Sequence, residues 1–300
     1  MATIFLHKDW NWPDIRRQSP GNSGKWGGLS LLSEYSFSPD VVVVLNSPAR
    51  HLAGRVRKGA LWLFSQESPV EMYRWHTRTF LHFDRVFTYW DASIAPNIVH
   101  EQTALPWHIN KTYDELKSIP VSVDRLHKKD AVSWVTSNAS HKPGHKLRLS
   151  FLDYLQTNNF PFSLFGRGFT PIEDKYDGIQ PYKYSIAIEN YQCNDYWTEK
   201  IADCFLSRTM PIYWGASNIS KYFPEKSMIR IDPSDPDSAL RKINDALDAD
   251  LYSKNFDYIE ESRELILEKY QFFPHMEYLL RKYPPGSQKK FYFLPANRLG

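Results

Sequence analysis

Residues Tyr182–Lys200 read YKYSIAIENYQCNDYWTEK, and their pattern decides the fold class. Tyr184–Ile188 is a short apolar run, as in a strand covered on both faces. It ends at the polar pair Glu189-Asn190. A helical pattern follows over Tyr196–Ser207, with Asn194 or Asp195 as N-cap. Trp197, Ile201 and Phe205 are four apart and form a stripe to be buried; Tyr196, Glu199, Lys200 and Asp203 share another face. Strand, polar turn and helix make one unit of an α/β sheet, where ligands sit at the carboxyl ends of strands. The helix start offers unpaired N–H groups and a positive dipole end, so a phosphate could dock there with Lys200 as cationic partner. Spacing alone favours a solvated face of mixed charge; the helix's place just after Glu189-Asn190 counts for a site.

The same rhythm extends in both directions. Ala131–Thr136, Phe162–Phe165, Met210–Tyr213 and Met228–Ile231 read as strands, and Lys146–Leu155 as a helix with Leu147, Phe151 and Leu155 spaced by four. Helices are expected through much of Ser238–Lys282. Upstream, Thr3–Leu6, the β-branched run Val41–Leu45, Ala60–Phe64 and Arg85–Tyr89 read as strands of a second α/β sheet. Trp10–Gly28, rich in Pro, Gly and Ser, reads as a loop. The composition changes near Val123–Lys129, which places a boundary between domains 1–127 and 128–285, with 286–300 as a tail.

A chain of 300 residues suits two such domains. With 42% hydrophobic and 24% charged residues it is globular rather than disordered. A net charge of +3 gives no general case for nucleic-acid binding. No apolar run reaches the ~20 residues of a membrane helix, and Met1–Trp10 does not read as a secretory signal. The two cysteines, Cys193 and Cys204, exclude a disulfide scaffold and suit a reducing, cytoplasmic setting.

Two further residues could carry chemistry. Arg148 could clamp a diphosphate bidentately, although spacing alone reads it as a surface arginine. Glu67, just past Ala60–Phe64, could serve as a general base, although Ser68-Pro69 beside it is a turn signal. Other signals are set aside. Asp248-Ala249-Asp250 lies in an acidic helical stretch and reads as surface. His141 and His145 are separated by Pro143-Gly144, read as a helix breaker, and do not suggest a shared metal. Cys204 reads as core. Gly166-Arg167-Gly168 is not a full dinucleotide fingerprint.

Taken together, Tyr182–Asn190 and Asp195–Lys200 resemble the signature of the α-1,3-fucosyltransferases, the family-ten glycosyltransferases. Met210–Gly215, Asn218-Ile219, Tyr222-Phe223-Pro224 and Met228–Asp232 resemble the family's next block. Glu67-Ser68-Pro69, and Arg148 followed by Phe151, match further elements. The resemblance is specific over Trp134–Asp232 and looser over Ala60–Tyr89. It implies a GT-B fold, two facing Rossmann-like domains with a cleft between them, and inverting transfer of fucose from GDP-fucose to a glycan hydroxyl. The expected linkage is α-1,3 to a GlcNAc- or glucose-type sugar. Glu67 would then be the general base, and Arg148 and Lys200 would hold the diphosphate. Asn190, Tyr196 and Glu199 would contact phosphate, ribose or fucose. No metal is obligatory on this reading, with Mg²⁺ or Mn²⁺ at most an activator. Another nucleotide sugar, or an inactive glycan-binding descendant, are the alternatives.

Acceptor candidates are oligosaccharides, glycolipids and glycoproteins, and no nucleic-acid partner is expected. Without the membrane anchor and stem of animal members, the chain reads as a soluble bacterial or viral type. The tail, with Lys289-Lys290-Phe291-Tyr292-Phe293, has three readings: peripheral contact with an anionic membrane, packing back on the amino-terminal domain, or a solvated end.

Overall fold

The computed structural model describes residues 1–8, 10–103, 106–122 and 128–297. The segment that carries the expected domain boundary lies largely outside them. The chain forms two compact units, Met1–Pro106 with Thr112–Asp114 and Lys269–Gly300, and Trp107–Lys111 with Glu115–Glu268.

The first unit is built on β1 (Ala2–His7), β2 (Lys25–Trp26), β3 (Leu29–Leu31), β4 (Val41–Leu45), β5 (Leu52–Arg57), β6 (Leu61–Phe64), β7 (Arg85–Phe87) and β8 (Ile98–Val99). Its main sheet has the order β2-β3-β1-β4-β6-β7-β8. All its pairings are parallel except that of β2 with β3. Every residue of β4 is buried, as expected for a β-branched run in the middle of a parallel sheet. The stretch Trp10–Gly28 is more ordered than a loop: it holds 3-10 turns at Ile15–Gln18 and Pro20–Asn22, then β2. Asp14 starts the first turn by accepting from the Arg16 amide at 3.0 Å.

The second unit contains β9 (Lys129–Val135), β10 (Phe162–Phe165), β11 (Tyr182–Ile188), β12 (Met210–Trp214) and β13 (Ile229–Arg230), all parallel, in the order β10-β9-β11-β12-β13. Helices α1 (Pro143–Thr157), α2 (Lys175–Ile179), α3 (Glu199–Leu206), α4 (Pro236–Asp248) and α5 (Phe256–Leu265) accompany it. Trp134 of β9 is buried with its ring 6.2 Å from Phe151 of α1 and 6.3 Å from Phe162 of β10. Burying each such side chain stabilises by about 1.5–3 kcal/mol. Both units thus share one winding, in which the strand order reverses beside the first strand.

Two sequence expectations change here, and the tail takes one of its expected readings. Pro143 does not break α1 but opens it, because a missing N–H costs nothing in the first helical turn. Residues 269–285, read as part of the second domain, belong to the first unit, where the helix Phe272–Lys282 contributes Phe272, Phe273, Met276 and Leu279 to its core. The tail is not a solvated end. It forms β14 (Lys289–Leu294), antiparallel to β5 with Tyr292 opposite Gly54, and packs back within the first unit. Tyr292 and Leu294 are buried while Phe291 and Phe293 are exposed, the two-residue alternation of a strand. Among the described residues, no helix is long and apolar enough to cross a membrane.

Candidate functional site

In the second unit the strand order reverses between β9 and β11, and a ligand crevice is expected at the carboxyl ends of those strands. A cavity of about 490 Å³ lies there. Its wall carries Lys142, Arg148, Arg167, Lys175 and Lys200 against Glu173, Glu199 and Asp203. That excess of positive charge suits an anion.

The centre of the wall is a locked ion pair. Glu189, wholly buried at the end of β11, accepts the Thr198 amide at 2.8 Å and lies 3.0 Å from Lys200 Nζ. The Thr198 hydroxyl is within 2.9 Å of both its carboxylate oxygens. Thr198 is therefore held at the start of α3 and caps it, with its hydroxyl facing the Lys200 amide at 3.4 Å. This corrects the expected cap at Asn194 or Asp195 and the helix start at Tyr196. The start of α3 is closed by Glu189 and Thr198 rather than open to a phosphate. Asp195 instead sits at a positive φ of 64° and holds the preceding loop to Asn218 and Lys221 at 2.9 and 3.0 Å.

The expected solvated face of mixed charge is inward-facing. Glu199 is 3.4 Å from Lys200 Nζ and 3.8 Å from both Lys175 and His108. Burial alone would raise its pKa, but Lys200, His108 and Lys175 hold it well below the usual carboxylate range. Burial likewise opposes the charge on Lys200, yet Glu189 and Glu199 outweigh it and keep the ammonium protonated. Asp203, fully buried, is pushed up to about 6 by desolvation. It lies 3.4 Å from Lys175 and accepts the His108 and Ile109 amides at 2.8 and 3.3 Å, which anchors Trp107–Lys111 to the unit.

Arg148 is buried, not on the surface. Its guanidinium donates to Asn190 Oδ1 at 3.1 Å and to the Ser137 carbonyl at 3.4 Å, while Nε has no hydrogen-bond partner among the described residues. Burial pulls its pKa below the ordinary value. The helix that carries it lies close against the end of β11. A Cβ on Gly144 would fall 1.9 Å from the Asn190 carbonyl oxygen. Gly144→Ala is therefore expected to destabilise the protein by about 1–3 kcal/mol, seen as a lower melting temperature, and to weaken ligand binding by tilting Arg148.

The structure thus brings Arg148, Asn190, Glu199 and Lys200 onto one cavity. Tyr196 is not among the lining residues. It is buried in the loop before α3, its ring edge-on to Tyr191 at 6.4 Å. Glu67 belongs to the first unit, at the carboxyl end of β6. Its turn is pinned there: the Gln66 amide donates to Asn46 Oδ1 at 2.9 Å, its side chain to the Thr103 carbonyl at 3.0 Å, and Tyr73 hydrogen-bonds Glu67.

Sequence reasoning missed Lys175 and His108, which carry no local signal because their partners are 24 and 91 positions away. Arg167 had one. Gly166 and Gly168 both have positive φ, and a Cβ on Gly166 would meet the Thr136 carbonyl at 1.9 Å, so the turn after β10 can close on the end of β9. Asp250 caps a short helix from a φ of 45° and pairs with Lys183 at 3.2 Å, which accounts for the Asp248-Ala249-Asp250 spacing.

Among solved structures, an α1,3-fucosyltransferase with GDP is similar with a TM-score of 0.52 at 19% identity, over 89% of this chain and 90% of its own. An α-glucosyltransferase in complex with UDP and a 13-mer DNA reaches 0.56 at 11% identity, over 93% and 99%. The fold they share with this chain, two Rossmann-like units built on parallel sheets, is that of the GT-B glycosyltransferases. The sequence pattern of glycosyltransferase family 10 (fucosyltransferase), C-terminal part, matches residues 125–277, and the chain belongs to that family. An α-(1,3)-fucosyltransferase of Helicobacter pylori is 38% identical over 60 residues, 20% of this chain and 13% of that protein. A GDP-fucose protein O-fucosyltransferase 3 of Danio rerio is 35% identical over 77 residues, 25% of this chain and 17% of its own length. The aligned segments therefore span less than a fifth of either relative.

Proposed function

We propose that the protein is an inverting fucosyltransferase that moves fucose from GDP-fucose to a hydroxyl of a glycan acceptor, in α-1,3 linkage to a GlcNAc- or glucose-type sugar. One observation carries the reading: within the segment that defines the family, Arg148 and Lys200 lie on one cavity at the strand-order reversal. In inverting transfer the acceptor oxygen attacks the anomeric carbon as the bond to the diphosphate breaks. The acceptor proton goes to a base, and negative charge grows on the departing phosphate. Arg148 and Lys200 would meet that charge with fixed cations. Glu199, held ionised, can accept from the ribose hydroxyls, and Asn190 can orient Arg148 or reach the sugar. Tyr196, away from the cavity wall, would then act by holding the loop before α3. Glu67 would take the proton. The cations leave Mg²⁺ or Mn²⁺ the part of an activator. Phe291 and Phe293, exposed on β14 opposite Arg55 and Ala53, would serve a peripheral contact with lipid-borne acceptors.

The test is melting temperature with GDP, GDP-fucose, UDP and UDP-glucose, followed by GDP release from GDP-fucose with glycan acceptors. A ligand at ~100 times its Kd stabilises by about 2.7 kcal/mol. Stabilisation by the guanosine compounds alone is expected. Stabilisation by the uridine compounds would move the assignment to another nucleotide sugar, and GDP-fucose binding with no release on any acceptor would favour a glycan-binding descendant.

A further inference from the structure

His145 lies in the first turn of α1 and lines the cavity, buried, and its Nδ1 atom has no hydrogen-bond partner among the described residues. Two more buried polar atoms of lining residues, Arg148 Nε and Thr136 Oγ1, are also unpartnered. Buried polar atoms of folded proteins are nearly always paired, and leaving one unpaired costs about 1–3 kcal/mol. Three of them on one cavity mark the surface that a polar ligand completes.

The charged groups around His145 define which ligand. Arg148 comes from its own helix, Lys142 from the N-cap just before it, and Lys200 from α3. His141, on the segment before α1, has its ring edge-on to His145 at 4.6 Å. The helix terminus adds a positive potential. Of the acidic groups, Glu199 on the wall and Glu189 behind it are both engaged with Lys200, at 3.4 and 3.0 Å, Asp203 is paired with Lys175 at 3.4 Å, and Glu173 also lines the cavity. Burial first, then Arg148, Lys142, His141 and Lys200, hold the imidazole down to about 4, so it is neutral near pH 7. A dianion seated among these cations opposes the positive field that His145 feels and so favours its protonated form.

We propose that His145 is a proton-linked ligand of the donor's diphosphate: neutral in the open cavity, it takes one proton from solvent as the diphosphate seats and donates a hydrogen bond to a phosphate oxygen. The proton returns to solvent when the nucleoside diphosphate leaves. The inference rests on the nucleotide-sugar reading above and adds to it a residue that the family signature did not supply. It predicts that donor affinity strengthens as pH falls, by up to tenfold per pH unit for a single linked proton.

The experiment is calorimetric titration of the whole chain with GDP-fucose, without acceptor, near neutral pH in two buffers of different ionisation enthalpy. The diphosphate ester carries no group that titrates there, so the buffer dependence counts protons taken up by the protein. Wild type is expected to take up a large fraction of one proton. His145→Gln and His145→Asn are expected to lose that uptake, flatten the pH dependence and bind several-fold more weakly, while His141→Asn keeps the uptake. Equal uptake in wild type and both His145 variants overturns the proposal, as does loss of uptake in His141→Asn alone. Binding without His145-linked uptake leaves the nucleotide-sugar reading standing. No binding of GDP-fucose, nor of UDP-glucose run beside it, removes that reading and this one together.

Discussion

Glu67→Gln is expected to lower turnover by about 10²–10⁴-fold, the usual contribution of a positioned general base, while GDP binding stays within about twofold of wild type. The argument starts from the turn. Glu67 follows β6, and its neighbours Ser65, Gln66 and Ser68 are buried and held by backbone bonds, so the carboxylate has a fixed origin. Tyr73 hydrogen-bonds it, and burial together with the Glu67 charge pushes the phenol well above its ordinary pKa. The phenol therefore stays a donor over the whole working range. It holds the carboxyl group in place and leaves oxygen lone pairs for an incoming hydroxyl. Gln keeps the size and the acceptor for Tyr73 but cannot take a proton. The check is the initial rate of GDP release alongside GDP affinity. Normal turnover with intact GDP binding removes Glu67 as the base, and a parallel loss of GDP binding shows a structural effect instead.

Lys200→Ala is expected to be the most damaging change in the second unit. Removing one member of a buried ion pair strands the other and costs about 3–5 kcal/mol. Here the stranded group is Glu189, wholly buried and already raised by desolvation. Its folded pKa then lies above the unfolded value of 4.5, so its contribution to stability is present below that value and lost as pH rises through the folded one. The variant should melt far below wild type near neutral pH and recover part of the difference in acid. Lys200→Ala with Glu189→Gln should restore much of the melting temperature, because no buried charge is left alone. It should not restore donor affinity, since the charge-assisted hydrogen bond proposed between Lys200 and the diphosphate, about 1.5–3 kcal/mol, is still missing. A double variant that binds GDP-fucose as tightly as wild type would confine Lys200 to a structural role.

How much of this was legible in the sequence varied with the range of the interaction. Val41–Leu45 is a strand at its expected bounds, because β-branched residues buried on both faces leave few alternatives. Ile201 and Phe205 are buried as their helical spacing required, Trp197 is buried in the loop just before the helix, and Cys204 is buried as read. The polar face of the same helix could not be read. Whether Glu199, Lys200 and Asp203 meet water or one another depends on Lys175 and His108, which arrive from other elements. The start of α3 was missed for a related reason. Asn194 and Asp195 are good caps by type, but the acceptor that matters at Thr198 is Glu189, nine positions back on the neighbouring strand. Pro143 was misread because the same residue breaks a helix interior and opens a helix start.

The sequence by itself determined the α/β class, the parallel strands, the buried stripes and the motif that names the family, because these follow from side-chain periodicity and from residue types at fixed short spacing. Only the tertiary structure decided which charges are buried together, which polar atoms of His145, Arg148 and Thr136 are left unpaired, and that residues 269–297 return to the first unit. Desolvation and Coulomb energies depend on distance and burial in space. They bring together groups that sequence order keeps apart.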